Sequence, residues 1–264
     1  MARSWRGPIL VAERTPSDGS EASALVKRFR RALILGAVSL LLAVTGTYAA
    51  VSHLALPRQL PPTERARLEE IAKNSFASTR VQFDPYPVRP EIWEYLLDHP
   101  EFATHVTRAL KLARYRIWHN GSEMWVEDGW GVKGRFTFVH KEQGIRIMYA
   151  RGQFEQKVLP EIQGQAVATL EYSFRSVEGG QTVVVTVASG FVQVDNQVLN
   201  ALGKIAAPMV QAKADKEVGY LLRTFARVTK AIDEDPAKVY QLVSERPDVP
   251  RGDLEGFRRV LRLP

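Results

Sequence analysis

Two charged residues continue apolar patterns where the chain reads as β-strand. Asp128 follows Met124 and Val126 at two-residue steps, and Arg151 follows Ile147 and Tyr149 in the same way. Alternate residues of a strand share a face. Each charge is therefore either a rim residue or a polar group that orients a ligand in an otherwise apolar site. The sequence offers no catalytic constellation beside them. Its five histidines, His53, His99, His105, His119 and His140, show no HExxH or HxH spacing, and a zinc site needs three or four convergent ligands. His140 follows Phe136 and Phe138 at two-residue steps, so it either shares their face toward a cavity or, as the better reading, is a surface residue at the strand end. There is no cysteine, so disulfides, thiolate ligands and Cys nucleophiles are excluded. Neither GxSxG nor GxxxxGK[ST] occurs. Asn120-Gly121 and Gly179-Gly180 lie between strand patterns and read as turns rather than phosphate cradles. The expectation is no catalytic residue, no metal and no cofactor.

Aromatic residues carry the stronger signal. Tyr115, Phe136, Phe138, Tyr149, Tyr172 and Phe174 fall in strand-like runs with Ile117 and Leu170. Leu221, Leu222 and Phe225 belong to a helical stripe further on. Ordinary core packing accounts for many such residues. The functional expectation is that these eleven line an apolar ligand site, with Asp128 and Arg151 as its polar groups.

The elements that must position them follow from periodicity. Thr63 to Asn74 is a short charged helix with Thr63 as the N-cap. Strand character runs from Ser78 to Phe83 and stops at Asp84-Pro85. Pro90 and Pro100 each occupy a first helical position and open two short helices. Between Arg114 and Asp195, six runs rich in Val, Ile, Thr and aromatics are separated by short turns, which demand antiparallel hairpins. NQVLNALGKIAA is a short helix, and Pro208 opens the longest helical pattern, to Ile232, with Val218, Leu221, Leu222, Phe225, Val228 and Ile232 on one stripe. Asp235-Pro236 ends it, and two short helical pieces follow. One long amphipathic helix after a meander must dock on the sheet. The fold class is α+β.

Upstream of this, the chain is uncharged from Ala32 to Leu56, directly behind Lys27-Arg28-Phe29-Arg30-Arg31. About 20 apolar residues cross a bilayer as a helix. The stretch before the run holds seven Lys or Arg against three acids. The positive-inside rule then puts the N-terminus in the cytoplasm and the following domain outside it. The expected location is the inner (cytoplasmic) membrane, single-pass, with a periplasmic or extracellular domain. A cleaved signal peptide is the rival reading, through Thr47-Tyr48-Ala49-Ala50, but the polar head and the apolar run are both long for one. The net charge of +7 sits mostly in this head, so it marks topology rather than a nucleic-acid surface.

Residues 79–112, TRVQFDPYPVRPEIWEYLLDHPEFATHVTRALKL, resemble the opening of the START-like (SRPBCC) helix-grip superfamily, in its coenzyme-Q-binding and polyketide-cyclase branches. The matching positions are Trp93, Leu96, Leu97, Asp98, Phe102 and His105. The resemblance implies a curved antiparallel sheet wrapped on a long C-terminal helix over residues 78–233. It also implies a hydrophobic ligand between the two, and no invariant catalytic residue. The expected organisation is a cytoplasmic tail (1–31), a transmembrane helix (32–56), a linker with a short helix (57–77), the START-like domain (78–233) and a helical tail (234–264). The expected function is membrane-anchored, non-enzymatic binding of a lipid, prenyl or sterol-like molecule, with transfer or presentation at the cell envelope. The alternatives are a structural adaptor with an envelope partner, and a cyclase-type enzyme. Partners are the bilayer and a hydrophobic small molecule, not nucleic acid.

Overall fold

The computed structural model of the protein describes residues 54–156, 159–195 and 206–264. The expected cytoplasmic tail, the apolar run up to residue 53 and most of the NQVLNALGKIAA helix lie outside the described residues. Among the described residues no helix is long and apolar enough to cross a membrane.

The element order is α1 (Pro62–Lys73), β1 (Ala77–Pro87), α2 (Pro90–Asp98), α3 (Pro100–Ala109), β2 (Arg116–Asn120), β3 (Glu123–Glu127), β4 (Val132–Glu142), β5 (Ile145–Gln156), β6 (Leu159–Ser176), β7 (Thr182–Val194), α4 (Ala206–Glu234), α5 (Pro236–Ser244) and α6 (Arg251–Leu261). α1, α2, α3 and α5 each have proline in the first turn, where a missing N–H costs nothing. α1 begins one residue before Thr63, after Pro61, and has no side-chain cap; proline geometry does the work expected of the threonine.

The seven strands form one antiparallel sheet in the order β1-β7-β6-β5-β4-β3-β2. β2 to β7 are a meander through short turns, with Gly121 (φ +64°) and Gly144 (φ +88°) supplying the left-handed backbone that these turns need. α2 and α3 carry the chain from β1 at one edge to β2 at the other. β1 is the edge strand beside the long helix. There the amide of Gln211 takes both free backbone groups of Ser78, donating to its carbonyl (2.7 Å) and accepting from its N–H (3.1 Å). An exposed strand edge is thereby partnered by α4.

The inner face of the sheet divides into two ends. At one end Trp93 of α2 packs on Tyr172, Phe174 and Phe225, with ring centroids 4.4, 5.8 and 5.5 Å away. Its indole N–H donates to the Tyr86 hydroxyl (3.0 Å). Arg146 of β5 reaches up to the same helix, donating to Glu94 (2.9 Å) and Asp98 (3.1 Å), while the Tyr172 hydroxyl donates to Glu94. This end is solid. The other end is described below.

The outer face is covered too. Leu68 and Ile71 of α1, with Leu54 and Leu60 ahead of it, pack on Ile147, Val167 and Phe191 of β5, β6 and β7. Leu54, the third-last residue of the uncharged run, is therefore a domain residue. The C-terminal helices likewise form a core with the rest. Val239, Val243, Phe257 and Leu261 pack with Ile92, Leu96, Phe102 and Val106 of α2 and α3 and with Val228 and Ile232 of α4. Phe257 lies 4.9 Å from Phe102, ring to ring.

Truncating a fully buried Phe typically costs about 3–5 kcal/mol. Phe257→Ala is expected to destabilise the whole domain by that amount in denaturant unfolding. A loss below about 1 kcal/mol would mean that the last two helices fold independently of the sheet.

Candidate functional site

At the end of the inner face away from Trp93, the sheet and the N-terminal half of α4 enclose a cavity of about 490 Å³. Its floor is made by residues without side chains. Gly134 of β4 pairs with Gly152 of β5, and Gly152 pairs with Gly164 of β6, so three glycines cross the sheet in one row. A Cβ at Gly134 would stand 2.7 Å from the Arg151 carbonyl oxygen, and one at Gly152 would stand 2.6 Å from that of Lys133. At Gly164 a Cβ would collide with the Gln193 carbonyl. All three obstacles are backbone, which cannot rotate away. The row is where neighbouring strands come too close for any side chain, and glycine is the residue that permits it. Ala150 and Ala166, paired beside the row, add little volume. Val126, Val132, Phe154, Ile162, Val192 and Val194 make the walls, and Leu221 of α4, 48% exposed, stands at the margin.

One polar cluster faces this space. Asp128 is 5% exposed and sits in the turn after β3. Its Oδ1 accepts from the backbone N–H groups of Trp130 (2.7 Å) and Val132 (2.9 Å), which fixes the turn as a side-chain-capped loop. Its Oδ2 meets the Lys213 ammonium at 3.2 Å. Lys213 also donates to Glu217 Oε1 (2.6 Å), one helical turn on, and the Tyr115 hydroxyl donates to Glu217 Oε2. Burial pushes the Tyr115 phenol well up, and its hydrogen bond to the Glu217 carboxylate pushes it further, so it stays protonated. Burial alone would lower Lys213; the hydrogen bonds it donates to Glu217 and Asp128 outweigh that, and the net shift is upward. The lysine is a fixed ammonium, not a free amine.

The expected site residues fall in different places. Tyr115, Asp128 and Leu221 line the cavity. Tyr172 and Phe174 fill the opposite end against Trp93, with Leu170 and Phe225 packed in the same cluster. Leu222 is buried in the helix stripe. Ile117 lies on β2 opposite Val126, and Phe136 and Phe138 pack edge to face (5.9 Å) further along β4. None of these eight borders the cavity. Tyr149 is on the outer face, beneath the Arg67 guanidinium (4.3 Å) and bonded to Gln165 (2.9 Å). Arg151 shares that strand parity; its side chain is exposed, and its backbone borders the glycine floor. His140 also leaves the inner face. A one-residue irregularity pairs Phe138 with Met148 and His140 with Ile147, and the extra residue, Val139, reverses the alternation. Among the described residues no three potential metal ligands converge.

Sequence reading missed Lys213, Glu217 and the glycine row. Lys213 and Glu217 have the i,i+4 spacing common to solvent-facing helix pairs, and the signal against that is Leu221, which continues their spacing on the same face. The glycines had a signal: each interrupts the interior of a strand pattern, which marks a bend or a close approach.

The topology now decides the fold. The chain has an α+β helix-grip fold. Its own features establish this: a seven-stranded antiparallel sheet, a helix pair between the first two strands, and a 29-residue helix after the last strand, packed on the inner face. No protein-family model and no curated protein matches the sequence. Among solved structures the helix-grip chain is similar to hypothetical protein jhp0584 from Helicobacter pylori, at 13% identity, 67% of this chain, 96% of that one and a TM-score of 0.34. It is also similar to a point mutant of Thalictrum norcoclaurine synthase, at 13% identity, 60% of this chain, 97% of that one and a TM-score of 0.36. A third is Ara h 8.0201, at 11% identity, 58% of this chain, 98% of that one and a TM-score of 0.30.

Gly152→Ala tests the floor. The added methyl meets the β4 backbone at Lys133 and Gly134, and overpacking of this kind costs about 1–3 kcal/mol. The variant is expected to melt several degrees lower; an unchanged melting temperature would mean that the strands do not approach closely at the row.

Proposed function

We propose that the protein binds a hydrophobic small molecule of lipid, prenyl or sterol type in the cavity beneath α4, and that it does so tethered to a membrane. The single observation that carries the reading is the cavity itself, floored by three glycines in register and walled by aliphatic side chains. Its volume falls within the range of small-molecule sites. Removing roughly 300 Å² of apolar ligand surface from water contributes about 7 kcal/mol before ordering costs. Binding rather than turnover is favoured by the polar cluster: its lysine is held charged and its tyrosine protonated, so neither is a ready nucleophile or base. An adaptor with a collapsed interior would have no use for a row of glycines that costs stability.

Purified gently as the full-length chain, the protein is expected to carry a lipid-sized mass in native mass spectrometry. Ala166→Phe places a ring over the glycine row and is expected to abolish that adduct with a near-native circular dichroism spectrum. An adduct that persists at wild-type occupancy would locate the ligand elsewhere.

The tether is the uncharged run behind Lys27–Arg31. With Leu54 packed in the domain, residues 32–53 remain for a bilayer, still enough to cross it. The basic head favours an N-in, single-pass arrangement with the helix-grip domain in the periplasm or outside the cell, where an envelope protein is a further candidate partner. A reporter fused after Pro264 is expected to be active only if it is a type that works outside the cytoplasm. Activity of a cytoplasm-only reporter would reverse the topology.

A further inference from the structure

The cavity's charge states what sort of polar end a ligand must have. Among the described residues that line it, only Asp128, Glu217 and Lys213 present charge from the inner side. Arg135 and Arg151 border the space through their backbone. By strand parity their side chains lie on the outer face, where Arg135 pairs with Glu123 (2.7 Å). Arg114, near the Asp128 turn, is exposed and lies over the Trp130 ring (5.3 Å to the centroid). Among the described residues two carboxylates thus share one ammonium, and the cluster keeps one negative charge that no described cation offsets.

That charge is tolerable while water reaches the cavity. An apolar ligand that fills the cavity removes the water and leaves the charge in a medium of low polarity, where an unpaired ion is expensive. A ligand carrying a cation cancels it. A ligand carrying a carboxylate doubles it.

We infer that the site selects amphiphiles with a cationic end, an amine on an apolar body, over neutral and anionic analogues of the same shape. The inference rests on the reading of the cavity as a ligand site. The apolar body lies over Gly134, Gly152 and Gly164, and the ammonium sits beside Asp128 and Glu217. Each carboxylate oxygen accepts about two bonds, and Asp128 Oδ2 and both Glu217 oxygens have accepted one each from these partners, so spare lone pairs remain. Lys213 then serves to divide the two carboxylates and hold them in place. Tyr115 fixes Glu217 from the opposite side.

The test is a matched series: 6-phenylhexylamine, 6-phenylhexanol and 6-phenylhexanoate, titrated calorimetrically at pH 7 into the full-length chain in non-ionic detergent. At that pH the amine is protonated and the acid ionised. The amine is expected to bind at least tenfold more tightly than the carboxylate, with the alcohol between them. Glu217→Gln removes the excess charge at nearly constant shape, and is expected to bring the amine-to-carboxylate ratio close to one. Carboxylate binding as tight as the amine's, or an amine preference unchanged in folded Glu217→Gln, overturns the charge inference and leaves the ligand site standing. If none of the three binds, the ligand-site reading itself falls. The series on the unaltered protein decides the matter even if the variant does not fold.

Discussion

The structure turns on a steric constraint, the approach of three neighbouring strands to within less than a side chain's width along Gly134, Gly152 and Gly164. A Cβ there meets a carbonyl, not a movable side chain. Strands that close can bend, and a bent sheet can stand away from its covering helix at one end while gripping it at the other. Glycine in a strand interior is normally a loss, because it has no side chain to pack and more backbone freedom to surrender. Here the loss is concentrated on three registered positions and produces a space of about 490 Å³.

Such a sheet needs support elsewhere, and it has support on both faces. Inside, Trp93 with its three aromatic neighbours and the Arg146–Glu94–Tyr172 network fasten α2 to β5 and β6. Arg146 is almost fully buried, and a buried guanidinium is costly unless its charge is paired. Its two terminal nitrogens reach two carboxylates and two backbone carbonyls, while the buried Nε has no partner. Outside, α1 and the residues before it cover Ile147, Val167 and Phe191 at the middle of the sheet. Residues that looked like a linker therefore stiffen the sheet whose inner side holds the site. The last two helices do the same for α2, α3 and the far end of α4.

This arrangement connects stability to selectivity. The end of α4 near Phe225 is packed solid, whereas the end bearing Lys213, Glu217 and Leu221 faces space. One helix so serves as a core element and as a wall. The polar cluster joins that wall to the turn after β3. The bonds from Trp130 and Val132 to Asp128 hold the carboxylate in place before any ligand arrives, so little ordering is left for binding to accomplish.

The sequence by itself determined the elements and their order. Period-two runs broken by Asn120-Gly121, Gln143-Gly144 and Gly179-Gly180 specify hairpins, Pro90 and Pro100 open the helix pair, and the stripe through Leu222, Val228 and Ile232 specifies the long helix. Those are local properties of the chain, set by backbone sterics and by which faces are apolar. What only the tertiary structure decided is which apolar positions are filled and which are left open. Tyr172 and Phe174 have the composition of a ligand site but meet Trp93. Tyr149 has it but faces α1. One extra residue at Val139 turns His140 outward. The cavity appears where side chains are missing, and Lys213 and Glu217 become its polar end only because α4 crosses the sheet above Asp128. Pattern records what a residue prefers to bury. Whether a partner is there to meet it depends on register and crossing, which long-range packing alone sets.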